Sequence, residues 1–221
     1  MLKILLTKKL SPEVYQSALP KAQVDAMDFI STEYFPDREI LAKIENETDF
    51  IVSSLRAAQW AIKNRIKGNF YCVGEKSRNL LSKNNPVLAT AGYAEDLVQI
   101  IQEKYSQKRF CFLCSDIRLD TIPNALKSAK IPLTEVPVYQ TKSISPTLNT
   151  DYDAYAFFSP SGVKSFFKTY QIPNNSFIFA IGESTQKSLE NFTKNKIFIP
   201  KTPKTQDLID LIKNTLQYAQ K

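Results

Sequence analysis

Hydroxyl side chains and one tyrosine are the residues of this sequence best placed to do chemistry. The serines and threonines collect where predicted strands end and helices begin, at Ser53, Ser54, Ser77, Ser115, Ser159, Ser161, Ser184 and Thr185. A hydroxyl before a helix is ordinarily an N-cap. Several helix N-termini around one cleft would also present free N–H groups and positive dipole ends to a ligand. The pattern therefore indicates a site for a ligand with many carboxylates or phosphates.

Three glycines and one aromatic residue add to this candidate site. Gly74, Gly162 and Gly182 occupy the same turns and would allow a ligand to approach the backbone closely. Tyr139 is the acid–base candidate, because it ends an apolar run in a chain that has no histidine. An ordinary aromatic residue at a strand end is the alternative interpretation. The lack of histidine also excludes zinc-hydrolase sites, Ser-His-Asp triads and Cys-His dyads.

Composition and charge set the class of protein. With 221 residues, of which 43% are hydrophobic, the chain can bury a core without disulfides or metal. The net charge of +7 favours an acidic partner, but the basic residues are dispersed and no nucleic-acid motif is visible. No apolar run is long enough to span a membrane and no signal peptide is evident, so we expect a cytoplasmic protein.

The three cysteines fit a reducing compartment. Cys111 and Cys114 form a C-x-x-C, but they lie on a predicted strand, where residues three apart face opposite ways. We therefore expect core cysteines and not a redox pair.

Short apolar runs alternate with helical stretches, which predicts an α/β fold with parallel sheets. The predicted strands are residues 3–7, 23–29, 50–53, 69–73, 87–90, 109–114, 133–140, 154–158, 177–181 and 197–199. The predicted helices are residues 56–67, 77–81, 94–105, 119–130, 162–170, 184–192 and 206–218, and a further helix begins at 11–13.

An internal repeat distributes the ten strands over two similar five-stranded, flavodoxin-like domains. Residues 51–57 parallel 157–162, residues 71–77 parallel 179–185, and residues 91–98 parallel 202–209. One economical arrangement joins 1–36 with 146–221 in a first domain and inserts 37–145 as a second domain. Two linkers then cross, near 33–45 and 139–152. This predicts a hinge, with the ligand between the domains at the carboxyl ends of the strands.

The same segments carry a family resemblance. They are residues 53–57, 73–77, 91–97, 113–118 with 122–126, 138–141, 157–162 and 180–185. In this order, over nearly the whole chain, they resemble the uroporphyrinogen-III synthases of the tetrapyrrole pathway. The most distinctive runs are Val138-Tyr-Gln-Thr141 and Phe158-Ser-Pro-Ser-Gly162, together with Ile181-Gly182.

The resemblance implies a lyase reaction without cofactor or metal. The substrate would be hydroxymethylbilane, a linear tetrapyrrole with eight carboxylates. The enzyme would expel its hydroxyl as water, invert the last pyrrole ring through a spiro intermediate and close the ring to uroporphyrinogen III. A monomer, and a handover of the bilane from hydroxymethylbilane synthase, are further expectations.

The resemblance also implies roles for individual residues. Tyr139 matches the tyrosine proposed to assist loss of the hydroxyl. The residues expected to bind substrate are Ser53, Ser54, Gly74, Ser77, Ser115, Arg118, Ser159, Ser161, Gly162, Gly182, Ser184 and Thr185. Ser115 and Lys8 depart from the family pattern, which often has Gly and Arg there, so the carboxylate contacts at these two positions stay open. Two alternatives also stay open: a non-catalytic two-domain protein that binds an acidic ligand, and a homologue that binds linear tetrapyrroles without turnover.

Overall fold

The computed structural model describes residues 1–148 and 151–218. The strands are β1 (Leu2–Leu6), β2 (Ala22–Ala26), β3 (Ile30–Tyr34), β4 (Asp49–Val52), β5 (Asn69–Val73), β6 (Val87–Ala91), β7 (Phe110–Ser115), β8 (Leu133–Ser143), β9 (Ala154–Phe157), β10 (Phe177–Ala180) and β11 (Ile197–Phe198). The helices are α1 (Asp37–Ile44), α2 (Leu55–Lys63), α3 (Glu75–Leu81), α4 (Ala94–Lys104), α5 (Thr121–Ser128), α6 (Pro160–Phe166), α7 (Glu183–Leu189) and α8 (Thr205–Tyr218). The stretch predicted to begin a helix at residues 11–13 forms only a 3₁₀ turn, Pro12–Val14, and Ser11 makes no side-chain cap.

These elements divide into two compact units. The first contains Met1–Ser31 together with the chain from Lys142 onward, and the second contains Thr32–Thr141. The boundaries predicted after residues 36 and 145 lie a few residues further along the chain. That each part is an independent domain stays a prediction.

The first unit is built on a five-stranded sheet in the order β11-β10-β9-β1-β2, whose neighbouring strands are parallel. Residues alternate between its two faces, and both faces are covered. Ile4 and Leu6 pack into one core cluster with Leu208 and Ile212 of α8. Leu5, between them, packs into the other cluster with Phe166 of α6. Burial on both faces explains why the strands read as continuous apolar runs.

The second unit has a six-stranded sheet in the order β3-β8-β7-β4-β5-β6. Without β3, its spatial order β8-β7-β4-β5-β6 matches β2-β1-β9-β10-β11 of the first unit, although the chain runs through the strands in a different sequence. The α/β fold with two similar parallel sheets is therefore confirmed. The sequence repeat corresponds to a structural repeat, because β4 and β9 are the central strands of these two matching five-strand orders.

The expected five strands are wrong for this second sheet. Residues Ile30–Tyr34 form β3 beside β8, although none of the predicted strands includes them and the last two belong to the predicted linker 33–45. Their burial alternates between half-buried and exposed. This is the pattern of a strand at a sheet edge. A half-buried strand of five residues is too short to stand out in the sequence.

The cysteines lie in the core of the second unit, as predicted. Cys111 packs in the cluster that contains Trp60, and Cys114 packs with Phe112 on the other face of the sheet. Both are free, and burial raises the pKa of each thiol to about 12. They are inert core residues at neutral pH.

Over the described ranges, no helix combines the length and the apolar character that a bilayer crossing requires.

Candidate functional site

The candidate residues gather at the carboxyl ends of the strands in each unit. In the second unit, β4 leads through Ser53 and Ser54 into α2, and β5 leads through Gly74 into α3. β7 ends at Ser115, and the neighbouring strand β8 carries Tyr139. Parallel strands bring the ends of β4, β5 and β7 to one edge of the sheet, and Tyr139 lies at the same level because it pairs with Ser115.

A register shift sets the direction of Tyr139. β8 continues to Ser143, so this tyrosine lies within the strand, where it is 9% exposed, and not at the strand end predicted from the sequence. Cys114 pairs with Pro137, but the next residue of β7, Ser115, pairs with Tyr139. Val138 is the extra residue, as in a β-bulge, which re-aims the side chain that follows it. Val138 and Tyr139 consequently contribute to the same core cluster, which also includes residues of α2.

The Tyr139 hydroxyl is held at the beginning of α2. It donates a hydrogen bond of 3.2 Å to Ser54 Oγ. Ser54 is the N-cap of α2, and its Oγ also accepts a 3.2 Å hydrogen bond from the Ala57 amide. Burial raises the pKa of Tyr139 above its ordinary value, while hydrogen bonds with Ser54 and Ser115 act in the opposite direction. The phenol is therefore protonated at neutral pH and can serve as a proton donor.

Ser115 lies beside Tyr139 but caps no helix, since α5 begins only at Thr121. Its hydroxyl donates to Asp116 Oδ1 at 2.9 Å, and its Oγ lies 3.3 Å from Thr141 Oγ1. Neither Asp116 nor Thr141 was among the site residues predicted from the sequence. The available signal was an acid directly after a strand end, which is too common to single out a site.

Two arginines of this unit differ in their surroundings. Arg118 donates from Nη1 to Asp120 at 2.8 Å and from Nε to Glu135, so acidic neighbours already pair with its charge. Arg56, in the first turn of α2, donates from Nη2 to the Thr32 carbonyl at 3.0 Å. Its Nε is buried and has no hydrogen-bond partner among the described residues. Arg56 was not among the site residues predicted from the sequence, although a cation is unfavourable at a helix N-terminus.

Gly74 occupies the N-cap position of α3 with φ 88° and ψ 136°, a conformation that requires glycine. A Cβ added there would meet no atom within 4 Å. The space beside its backbone is therefore open, as close approach of a ligand demands. Ser77 lies in the α3 turn that follows and is buried, at 2% exposure.

The first unit repeats the hydroxyl cap. Ser159 is the N-cap of α6, and its Oγ accepts a 3.1 Å hydrogen bond from the Gly162 amide and lies 3.2 Å from Ser161 Oγ. A Cβ on Gly162 would lie only 3.2 Å from Ser159 Oγ. Ser159 after β9 therefore corresponds to Ser54 after β4.

The loop after β10 carries the remaining candidates. Gly182 occupies the N-cap position of α7, but its φ of 179° is extended backbone open to any residue, so its conformation does not require glycine. Ser184 is exposed and Thr185 is 1% exposed. Thr185 Oγ1 is buried and has no hydrogen-bond partner within the described part of the chain. Such an unsatisfied hydroxyl is costly unless a ligand or water completes it.

Known proteins share this sequence pattern and fold. Residues 46–210 match the family model of uroporphyrinogen-III synthase HemD. Among solved structures, uroporphyrinogen-III synthetase from Helicobacter pylori is 15% identical with a TM-score of 0.70, covering 97% of this chain and 100% of that one. A mutant uroporphyrinogen III synthase from Thermus thermophilus is 16% identical with a TM-score of 0.69, covering 99% and 100%. The wild-type Thermus protein in another crystal form is 14% identical with a TM-score of 0.54, covering all of both chains.

At such identities the structural likeness shows the fold alone. The family model, however, spans more than half of the 221 residues and includes Ser54, Tyr139, Ser159 and Thr185. This chain belongs to the uroporphyrinogen-III synthase family.

Proposed function

We propose that the chain converts hydroxymethylbilane into uroporphyrinogen III, with loss of one water and inversion of the terminal pyrrole ring. The observation that carries the proposal, beside family membership, is the buried phenol of Tyr139, which donates a hydrogen bond to Ser54 at the beginning of α2. The reaction begins with departure of a hydroxyl group, and a buried phenol suits that step because it can give the leaving oxygen a proton.

The proposed chemical step balances without a cofactor. The electron pair of the adjacent pyrrole expels the hydroxyl as its C–O bond breaks, and the Tyr139 proton passes to the departing oxygen, which leaves as water. The electron-deficient carbon then bonds to the substituted carbon of the last ring and forms a spiro intermediate. Rearrangement inverts that ring, a pyrrole proton is lost, and the phenolate regains a proton. A positioned proton donor accelerates such a step about 10²–10⁴-fold. We expect the lower end of this range, because the electron-rich pyrrole already helps the hydroxyl to leave.

Hydroxyl groups and helix N-termini on each unit are the proposed partners of the substrate carboxylates. Ser54 and Ser159 follow equivalent strands, β4 and β9, and are the N-caps of α2 and α6. The unpartnered Thr185 Oγ1 supports a ligand contact in the first unit, since a carboxylate oxygen would satisfy its donor. The paired state of Arg118 argues for a lesser role of that residue.

Analysis of the product isomer tests the function. Freshly prepared hydroxymethylbilane closes on its own to the type I isomer, as the chemistry of the family implies. We expect dialysed, chelator-treated protein to give mainly type III, which is read after oxidation to the porphyrins. Exclusive formation of type I would contradict the proposal. Binding of the bilane without any type III product would favour the non-catalytic alternative.

Three further expectations stay predictions. They are the monomeric state, the cytoplasmic location and the handover of bilane from hydroxymethylbilane synthase. Sedimentation of the protein alone and together with that synthase would test the first and the last.

A further inference from the structure

The direction of the Tyr139 side chain depends on a one-residue register shift between β7 and β8. Regular alternation along β8 would not produce this direction. Val136 and Val138 of β8 alternate normally into the core. Continued alternation would turn Tyr139 to the opposite face. Instead, Ser115 pairs with Tyr139 directly after Cys114 pairs with Pro137. A one-residue shift moves side chains between faces, so whatever maintains this register also maintains the placement of the phenol.

One residue, Asp116, contacts β8 at Tyr139 and at Thr141, directly after the extra residue Val138. The Asp116 amide donates to the Tyr139 carbonyl at 3.0 Å. The Asp116 side chain accepts from the Thr141 amide at 2.9 Å through Oδ1. Because β7 ends at Ser115, the Asp116 carboxylate takes the place of the backbone acceptor that a longer strand would offer to Thr141.

The same oxygen also fixes Asp116 itself. Oδ1 accepts from the Ile117 amide at 2.9 Å and from the Ser115 hydroxyl at 2.9 Å. Asp116 is an exposed residue, so these hydrogen bonds, and not burial, define its conformation. All three side-chain contacts use Oδ1, so an amide oxygen at this position could replace them.

We propose that Asp116 is a positioning residue that holds the register of β8 at Tyr139 through the Thr141 amide. Its effect on turnover rests on the proposed function, in which Tyr139 gives a proton to the leaving hydroxyl. Its effect on the placement of the phenol does not, and this allows the two to be tested separately.

The test compares Asp116→Ala with Asp116→Asn in the full chain. Glu103→Ala, which removes an exposed acid near the end of α4, is the control for loss of charge. We expect Asp116→Ala to lower kcat about 10- to 100-fold with little change in KM, because small misplacement of a reacting group costs that much. Asp116→Asn should restore kcat to within about twofold of the unsubstituted protein, because it keeps Oδ1.

A second readout is independent of turnover. We expect the ¹⁹F resonance of 3-fluorotyrosine placed at position 139 to shift or broaden in Asp116→Ala. It should keep its position in Asp116→Asn and Glu103→Ala. An unchanged resonance and unchanged kcat in Asp116→Ala would overturn the proposal, as would an Asn variant that behaves like Ala. If the protein forms no type III product, the ¹⁹F comparison still decides whether Asp116 positions the phenol.

A second pair of variants carries the test if Asp116→Ala does not fold. Thr141→Pro removes the amide hydrogen that Asp116 accepts, whereas Thr141→Val keeps this amide and removes only the hydroxyl. We expect the ¹⁹F resonance of position 139 to move in the proline variant and to stay in the valine variant. Equal spectra in the two variants would contradict a role for this amide.

Discussion

The hydroxyl of Tyr139 donates its proton to Ser54 Oγ, the atom that also caps the first turn of α2. One oxygen therefore serves two donors, the phenol and the Ala57 amide. This couples the start of the helix to the phenol, and a ligand oxygen that replaces Ser54 as acceptor would receive the same proton.

Tyr139→Phe should lower kcat about 10²-fold, because the ring stays and only the proton donor is lost. Stability should change by no more than about 1.5 kcal/mol, the contribution of one hydrogen bond. Tyr105→Phe is the matched control, because Tyr105 also donates one hydrogen bond, to the Leu88 carbonyl at 3.2 Å, on a different element. Turnover of hydroxymethylbilane is compared for both variants at equal thermal stability. Full turnover in Tyr139→Phe would move the donor role to another residue.

Ser54→Ala and Ser159→Ala separate capping from catalysis. Each removes the hydroxyl N-cap of an equivalent helix, so each should cost about 1 kcal/mol of stability. Only Ser54 also holds the Tyr139 phenol. We therefore expect Ser54→Ala to lower kcat, and Ser159→Ala to raise KM with kcat nearly unchanged. Urea unfolding and steady-state kinetics on both variants check this, and identical kinetic effects would contradict a special role of Ser54.

The sequence predicted most of the fold because its strands are continuous apolar runs. Residues 69–73 were predicted with the bounds that the structure gives to β5, since Phe70, Tyr71 and Cys72 are all buried. Two elements were missed for a physical reason. β3 is a half-buried edge strand, and α1 buries only Ile40 and Ile44, so neither has enough apolar residues to stand out.

The candidate site could be predicted in part. A serine before a helix indicates a cap, and Ser54 and Ser159 are such caps. The direction of Tyr139 could not be predicted, because alternation from Val136 and Val138 points it to the other face. The register shift that reverses it depends on contacts of Asp116 with a strand that lies more than 20 residues further along the chain.

Gly74→Ala should destabilise the protein, whereas Gly182→Ala should not. Gly74 has φ 88° and ψ 136°, which an alanine adopts only at a cost of about 1–3 kcal/mol, and no atom lies within 4 Å to add a clash. Gly182 has extended backbone, and an added Cβ would make ordinary contact with Pro203 Cβ at 3.4 Å. Urea denaturation of the two variants measures the difference. Equal stability losses would contradict the conformational argument.

The buried carboxylate of Asp49 should make the free energy of unfolding depend on pH in the acidic range. Burial alone would raise the pKa of Asp49, but hydrogen bonds from Lys108, Tyr71, Thr48 and Asn69 outweigh it and hold this pKa below its ordinary value. The strongest contact is with Lys108 Nζ at 2.7 Å. A carboxyl group whose pKa is lowered by folding stabilises the folded state above its unfolded pKa, which is about 4. That contribution is lost as the pH falls through the lower folded value.

Asp49→Asn should therefore cost about 1.5–3 kcal/mol at neutral pH, the range for hydrogen bonds to a charged group. The cost should shrink as the pH falls below about 4, because the unfolded chain of the unsubstituted protein then binds a proton that the folded protein binds only at a lower pH. Glu75→Gln is the matched control, since Glu75 forms an exposed pair with Arg78 at 3.2 Å, and such pairs contribute at most about 1 kcal/mol. Urea unfolding at a series of pH values gives the two curves. A penalty for Asp49→Asn that stays constant down to about pH 2 would show that the lost stability comes from packing and not from the charge of Asp49.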